Sequence, residues 1–523
     1  MKKFIFQGQA REAFYQFGLA EKNEQSSAQL ISNIVFKNNR FMTFAAEKIL
    51  GNSFSISKKL KPILDAYIEG KCITEDQFKK NYFLADIISV INSKSPGILP
   101  NIACSSLISR VDDQIKHMRV LDYPLGPYSS KFEWDLFFNL QDFNKVFSAT
   151  FTDLPLPALT SLNEHGISMA LHQRNSNTNN FRGSSIFDLT SECSLFAKNS
   201  DDIIKQCNEF DPINNWGLIF SFNDENLGME IEVSSNSSPI IKKHNLNETP
   251  FVYINNKSLV HSSDKSFGDT WDKYCDLRTS WVEKNLSTSL SKENFFKLPN
   301  SKAKDNFTFH TITPASIQSI EMDVTSNEFN KVLADSVKSY DGQILASKIN
   351  WQKGEINQEI KGKKTRKKNS LGGYYSAVSK AQYYWDQADV NQSLHYANRA
   401  IKIAPTNAHK AISQFFYSFF LFCTSNNKTL LTKHLDLLIE CSKDIPNFLK
   451  PDVILLTNYY LHYLSLSKTG FSEVELVHQN QFNKLIKMPR PILKSLFKHF
   501  YVPRYETFSI GKVYYLIEAV GSP

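Results

Sequence analysis

The chain has 523 residues, of which 41% are hydrophobic and 13% aromatic, with only 19 Gly and 19 Pro. This composition excludes collagen-like, mucin-like and Gly/Ser-rich low-complexity proteins, and the length predicts a globular protein of about two to four domains. The net charge of +8 comes mostly from basic residues clustered within 361–368. Such a short run predicts a solvated linker rather than a nucleic-acid-binding face or a contact with an acidic membrane.

Cysteine usage and hydropathy indicate the compartment. The seven cysteines contain no CxxC pair and no metal-like cluster, so we predict a reducing environment, no metal site and no cofactor. The apolar start of the chain is broken by Gln7, Arg11 and Glu12, which predicts no signal peptide. We therefore expect a cytoplasmic protein, with non-classical export as the alternative. The longest apolar run, 415–423, is about half of the roughly 20 residues that a membrane helix needs, so it predicts a buried helix and no transmembrane segment.

The chain begins with helical periodicity. Apolar residues recur at helical spacing over 1 to about 95, for example at Ala10, Phe14 and Phe17, and predict a helical leader over 1–103. From 104 to 351, short apolar runs alternate with polar turns, which is typical of a sheet-rich domain with helices between strands.

The last third returns to helical periodicity after a polar, basic segment at 352–373, which predicts a linker. The spacing of small residues, a tyrosine and a terminal proline resembles one tetratricopeptide unit. The positions that carry this likeness are Ala381, Tyr384, Ser393, Ala400 and Pro405. We therefore predict an all-α helical-hairpin domain over 374–523 that binds a protein partner; an unrelated helical cap is the alternative.

One stretch indicates chemistry. Cys104 follows two small apolar residues at the start of a predicted strand, and a second predicted strand ends with Arg119 and Asp122. A hairpin of these strands would bring the guanidinium beside the thiol and favour the thiolate. The alternatives are a Cys104 packed as a small hydrophobe and a structural Arg119–Asp122 ion pair.

These residues resemble the N-terminal-nucleophile cysteine hydrolases, the group that includes acid ceramidase, N-acylethanolamine acid amidase, choloylglycine hydrolases and penicillin acyltransferase. Their first strands read Cys-Thr-Ser and then Gly-Arg-Asn-x-Asp, which here are 104–106 and 118–122. Met118 and Val120 replace the usual Gly and Asn. The resemblance extends over roughly the first 335 residues. Its further segments are 8–18, 162–167, 251–256, 276–280 and 313–324.

The resemblance implies an α+β fold, a four-layer αββα sandwich, with the catalytic domain at 104–351. It also implies autocleavage between Ala103 and Cys104, after which the leader stays bound. The freed α-amine of Cys104 would then act as the base for its own thiol, without a histidine such as His117, His165, His172 or His261.

The resemblance also implies roles for individual residues. Asn255 would donate to the oxyanion, and Gln173 is a candidate second donor. Arg119 would support the thiolate, Asp122 would hold the new ammonium, and Arg278 would anchor Asp122 or a loop beside the substrate. The alternatives are that Asn255 caps a turn and that Arg278 and Gln173 are structural.

Together these features predict a self-processing cysteine amidohydrolase or acyltransferase. It would cleave or transfer the acyl group of a linear, nonpeptide N-acyl amide through a thioester at Cys104. The alternative is an interaction protein of the tetratricopeptide type whose front domain is inactive; no nucleic-acid partner is expected in either case.

Overall fold

The fold is taken from a computed structural model of the chain. The structure describes residues 2–28, 55–94, 103–122, 130–174, 178–249, 251–259, 268–286, 295–296, 311–333, 338–364, 370–387, 389–425 and 427–445. The predictions for 446–523, for His261 and for the basic residues within 365–369 lie outside these residues.

Runs of consecutive strands are separated by runs of helices along the described chain. The strands are β1 (Lys2–Gly8), β2 (Ala103–Val111), β3 (Gln114–Asp122), β4 (Glu133–Leu140), β5 (Val146–Phe151), β6 (Thr160–Asn163), β7 (Ile167–Gln173), β8 (Trp216–Phe222), β9 (Leu227–Ser234), β10 (Ser237–Asn245), β11 (Phe251–Ile254), β12 (Ser316–Asp323), β13 (Glu328–Val332), β14 (Ile344–Asn350) and β15 (Glu355–Lys361). The helices are α1 (Ala10–Glu21), α2 (Lys61–Lys71), α3 (Glu75–Tyr82), α4 (Leu84–Lys94), α5 (Ile186–Phe196), α6 (Ser200–Glu209), α7 (Gly268–Leu286), α8 (Ser370–Asp386), α9 (Val390–Ile403), α10 (Asn407–Thr424) and α11 (Lys428–Cys441).

The strands form two sheets. Sheet I has the order β1-β4-β5-β6-β7-β8-β9-β10, and sheet II has the order β11-β2-β3-β12-β13-β14-β15. Neighbouring strands are antiparallel except β1 and β4, which are parallel. Because antiparallel strands need only short turns, most of each sheet is built from strands that are consecutive in the chain.

Three clusters of buried apolar side chains give the order of the layers. One joins α1–α6 to the outer face of sheet I. A second fills the space between the sheets, and a third joins the outer face of sheet II to α7 and to helices α8–α11. The predicted mixture of helices and sheets is confirmed, and the layers follow the order helices, sheet, sheet, helices.

The leader contains a strand that the sequence did not predict. Helix α1 lies where the periodicity predicts a helix, but Lys2–Gly8 forms β1 and pairs with β4. Phe6 is fully buried and stacks on Phe138 with 4.4 Å between the ring centroids, whereas Ile5 on the other face is 40% exposed. A seven-residue strand with one fully buried side chain has too little alternation to be distinguished from a helix by periodicity.

Close packing joins two helices of the leader, and buried charge joins the leader to the rest of the chain. Helices α1 and α2 touch at Gly18 and Gly70; a Cβ at Gly18 would lie 2.3 Å from the carbonyl oxygen of Tyr67. Beside this contact, Lys71 donates to Glu21 at 2.9 Å and also to Asp153, which lies in the sheet-rich domain. Because the Lys71 side chain is only 6% exposed, these carboxylates stabilise a charge that burial alone would disfavour.

Part of the predicted linker at 352–373 forms regular structure. Glu355–Lys361 forms β15, which pairs with β14 at the edge of sheet II, and helix α8 begins at Ser370. The strand is polar because it is an edge strand, with Ile360 63% exposed, and charged residues are common at such edges. Polar, basic composition therefore did not distinguish an edge strand from a linker.

The helical tail covers sheet II. Helices α8–α11 follow one another, and the apolar run at 415–423 lies within α10, where Phe415, Phe416 and Phe420 are buried as predicted. The tail shares a hydrophobic cluster with Leu107, Met118 and other residues of sheet II. The tetratricopeptide assignment and a partner for 374–523 stay predictions. No helix within the described residues has the length and apolar character needed to cross a membrane.

The pairing of β1 predicts that the leader contributes to the core. Phe6→Ala should lower the free energy of unfolding by about 3–5 kcal/mol, because it removes a buried ring and leaves a cavity. Ile5→Ala, on the same strand but the exposed face, should cost less than about 1 kcal/mol. Urea unfolding followed by circular dichroism measures both. Equal losses in the two variants would contradict the packing of β1 described above.

Candidate active site around Cys104

The β2–β3 hairpin presents Cys104 and Arg119 on one face. In this antiparallel pair Cys104 lies opposite Leu121, and Ser106 lies opposite Arg119. Because directly opposed residues share a face and neighbours along a strand alternate, all four side chains point between the two sheets. Cys104 and Arg119 are both fully buried. The sequence-predicted juxtaposition of thiol and guanidinium is present in the structure.

Arg119 is held by sheet I and lies next to the thiol. Its Nη2 donates to the carbonyl oxygen of Leu171 at 2.7 Å and lies 3.9 Å from Cys104 Sγ. Its Nη1 donates to Leu159 O and Thr160 Oγ1. Burial raises the pKa of the Cys104 thiol, and the Arg119 charge opposes that rise. The guanidinium therefore limits the energetic cost of forming a thiolate in a dry site.

An asparagine contacts Cys104, but it is the neighbour of the one predicted. Asn256 Oδ1 accepts a hydrogen bond from the Cys104 backbone N–H at 2.6 Å, and Asn256 Nδ2 donates to Gln173 O at 3.0 Å. Asn255 instead donates to Cys275 O at 2.9 Å and to Thr279 Oγ1 at 3.0 Å, so its side chain is tied to α7. Because two asparagines follow the same strand, the sequence alone does not show which of them contacts Cys104.

Arg278, from the middle of α7, approaches Cys104 from the other face of sheet II. Its Nη1 donates to Cys104 O at 3.0 Å and to Ser105 Oγ at 3.2 Å. Its Nη2 donates to Asn256 Oδ1 at 3.2 Å. Arg278 is fully buried, and it joins the nucleophile strand to the loop that carries Asn256. Arg278 therefore bonds to both residues, Cys104 and Asn256, that form the 2.6 Å hydrogen bond.

Asp122 does not contact Cys104. Its side chain lies on the outer face of sheet II, where Oδ1 accepts from Ser316 Oγ at 2.5 Å. Burial raises the pKa of Asp122 to about 6, although the Ser316 hydrogen bond and the Arg278 charge favour its ionised form. Its Oδ2 has no hydrogen-bond partner within the described part of the chain. The contact predicted between Asp122 and a new ammonium at residue 104 can form only after cleavage, so it stays a prediction.

The nearby histidines are engaged elsewhere. His172 Nε2 pairs with Ser106 Oγ at 2.8 Å, and His117 Nδ1 pairs with Ser168 Oγ at 2.8 Å. Burial lowers the pKa of His172 well below its usual value and that of His117 to about 3. Neither ring has a hydrogen bond to the thiol. These contacts agree with a nucleophile that does not depend on a Cys/His dyad.

A cavity of about 100 Å³ is lined by Arg119 and Leu171, which both contact the Cys104 thiol; Cys104 itself does not line it. Arg119, Leu171 and Gln173 form the wall nearest to Cys104, and Ala28 and Leu84 of the leader line the cavity from another side. Most of the other lining side chains are apolar. Gln173 therefore faces this space, as expected of a residue near a substrate, while its backbone oxygen accepts from Asn256.

The side chains of Met118 and Val120 point away from the thiol. These are the two positions that differ from the pattern of the hydrolases that the sequence resembles. Met118 and Val120 alternate with Arg119 along β3 and belong to the cluster that packs against α7 and the tail. Their apolar side chains are explained by this burial rather than by contact with the cavity. Among the described residues, no group of three or more His, Cys, Asp and Glu is placed to hold a metal ion.

Comparison with known proteins adds little to these contacts. No protein-family model and no curated protein matches the chain. Among solved structures, it is similar to a Caenorhabditis elegans N-acylethanolamine-hydrolyzing acid amidase ortholog, with 16% identity and a TM-score of 0.31. The match covers 42% of this chain and 93% of that chain. A likeness of this extent assigns neither family nor activity, so the chemistry rests on the residues around Cys104.

The contact between Arg119 and the thiol predicts a titration effect. Arg119→Gln should shift the pH profile of Cys104 alkylation upward by about one pH unit or more, because the neutral amide no longer favours the thiolate. Arg119→Lys keeps a positive charge and should shift the pH profile of Cys104 alkylation less. The measurement is the rate of iodoacetamide labelling at Cys104, read by peptide mass spectrometry from pH 6 to about pH 10.

A second substitution on the same strand provides the control. Arg110→Gln removes a guanidinium that pairs with Asp113 at the far end of β2 and should leave the Cys104 profile unchanged. Superimposable profiles for wild type and Arg119→Gln would contradict the electrostatic role of Arg119.

Proposed function

We propose that the chain is a self-processing cysteine amidohydrolase or acyltransferase that acts on a linear, nonpeptide N-acyl amide. The observation that carries the proposal is the convergence of Arg119, Asn256 and Arg278 on Cys104 beside an apolar cavity. Each of these polar side chains is at least nine-tenths buried. Buried polar groups directed at one thiol are typical of a catalytic centre.

Processing would begin with Cys104 and the peptide bond before it. The thiolate attacks the Ala103 carbonyl carbon, a C–S bond forms, and the C–N bond breaks as the nitrogen takes a proton to become the α-amine. Water then hydrolyses the thioester, which frees the thiol and leaves the Ala103 carboxylate. In the continuous chain Asn256 Oδ1 already accepts from the nitrogen that becomes this amine.

Turnover would use the same thiol with its new base. An α-amine has an unperturbed pKa of about 8, so a useful fraction is neutral near pH 7 and can take the thiol proton. The thiolate attacks the amide carbonyl of the substrate, and the proton passes to the departing amine. The resulting thioester gives its acyl group to water in hydrolysis or to an acceptor amine in transfer.

The polar groups divide the remaining tasks. Asn256 takes the place first assigned to Asn255: it orients the amine and, with Gln173, is the proposed source of N–H donors for the oxyanion. Arg119 stabilises the thiolate. Arg278 fixes the Cys104 carbonyl and Asn256 together. Asp122, with one oxygen atom that has no partner in the described residues, is proposed to pair with the ammonium once cleavage lets the first residue move.

The cavity supports an apolar acyl group. Leu121, Leu154, Leu159, Leu171 and Phe187 are among its lining side chains. Burial of an apolar chain against such side chains is favourable by roughly 25 cal/mol per Å². Since Arg119 forms part of the same wall, an acyl chain in the cavity would place its carbonyl near the thiol.

The test uses chromogenic acyl-4-nitroanilides of increasing chain length. The protein should release 4-nitroaniline, and Cys104→Ala should not. Asn256→Ala should lower kcat on the order of a hundredfold, because it removes the amide next to the nucleophile. Asn255→Ala, a matched change one residue away, should lower kcat much less, because its side chain bonds to the middle of α7.

Two outcomes would overturn the assignment. Activity that survives in Cys104→Ala would exclude the thiol as nucleophile. A larger loss of kcat in Asn255→Ala than in Asn256→Ala would exclude the role given to Asn256.

A further inference from the structure

The loop that carries Asn256, residues 255–259, is tied to three different elements. Asn255 donates to α7, and Asn256 donates to the end of β7. The third attachment comes from β9 of sheet I, through Glu232. This side chain has no role in the chemistry described above, yet it is fully buried.

Glu232 uses both of its carboxylate oxygens on the Asn256 loop. Its Oε1 accepts from Ser258 Oγ at 2.7 Å, and its Oε2 accepts from the backbone N–H of Leu259 at 2.5 Å. Hydrogen bonds to an ionised carboxylate are shorter and stronger than those between neutral groups. The loop extends β11 of sheet II, so this contact also joins the two sheets near the nucleophile.

Alternation of side chains along β9 explains why Glu232 faces sheet II. Met229, Ile231 and Val233 of β9 belong to the cluster on the helix-covered face, so Glu230 and Glu232 point toward sheet II.

The residue paired with Glu232 on β8 is Gly217, and a Cβ there would lie 2.5 Å from Arg174 Nε. Arg174 fills that space and bonds to Glu230, which leaves the Glu232 carboxylate for the loop.

We propose that Glu232 is a positioning residue for the nucleophile, which acts by holding the Asn256 loop where Asn256 Oδ1 meets the Cys104 N–H. A buried carboxylate needs donors, and two of the donors of Glu232 lie two and three residues after Asn256. Loss of either bond frees one end of the loop while Arg278 and α7 keep the other. The predicted loss of turnover rests on the proposed function. The predicted loosening of the Asn256 loop does not.

The experiment compares Glu232→Gln, Glu232→Ala and Glu230→Gln in the full chain. Hydrogen–deuterium exchange over 251–259 should rise in Glu232→Ala and rise less in Glu232→Gln, whose amide oxygen can still accept one bond. Glu230→Gln removes a buried carboxylate from the same strand and face while its amide oxygen can still accept from Arg174, so it controls for loss of charge alone. It should leave exchange over 251–259 at the wild-type rate.

Kinetics with hexanoyl-4-nitroanilide provide the second readout. A displaced Asn256 should lower kcat on the order of a hundredfold in Glu232→Ala with little change in KM, because ground-state binding in the cavity is untouched. Glu232→Gln should recover part of that loss. A general loss of stability would raise exchange in other segments as well as over 251–259.

The outcomes separate the two proposals. Wild-type exchange over 251–259 in Glu232→Ala, or equal exchange in Glu232→Ala and Glu230→Gln, would overturn the positioning role. Increased exchange in Glu232→Ala, in a protein whose activity does not require Cys104, would uphold the role in the loop and reject the proposed function.

Discussion

The pairing of β2 with β3 is the constraint on which the candidate site depends. Its register places Cys104 and Arg119 on the face between the sheets and sends Met118, Val120 and Asp122 to the opposite face. A shift of one residue would exchange these faces and remove the guanidinium from the thiol. The register is specified from both sides, because each face carries buried side chains.

The leader and the tail both stabilise this hairpin from outside. The leader adds β1 to sheet I, lines the cavity and places Lys71 against Asp153. The tail covers the face of sheet II that carries Met118 and Val120. Neither is an appendage in the described structure, since each completes a hydrophobic layer that the sheets cannot close alone.

The hairpin, the buried apolar helix and the juxtaposition of Cys104 with Arg119 could be predicted because they depend on spacing within one segment. Strands β1 and β15 could not, because a short or edge strand is specified by its partner more than by its own pattern. Asn256 and Asn255 differ only in which way each points after β11. Sequence reasoning could not find Glu232, because its partners lie in the loop after β11 of the other sheet and meet it only when the two sheets are stacked.

The central claim is that Cys104 becomes the first residue of its own chain. The most direct measurement is the intact mass of the purified protein after incubation at mildly acidic and neutral pH, beside a Cys104→Ala control. Self-processing at Cys104 predicts two species, residues 1–103 and 104–523, that the control does not form. A single 523-residue species under every condition would contradict it.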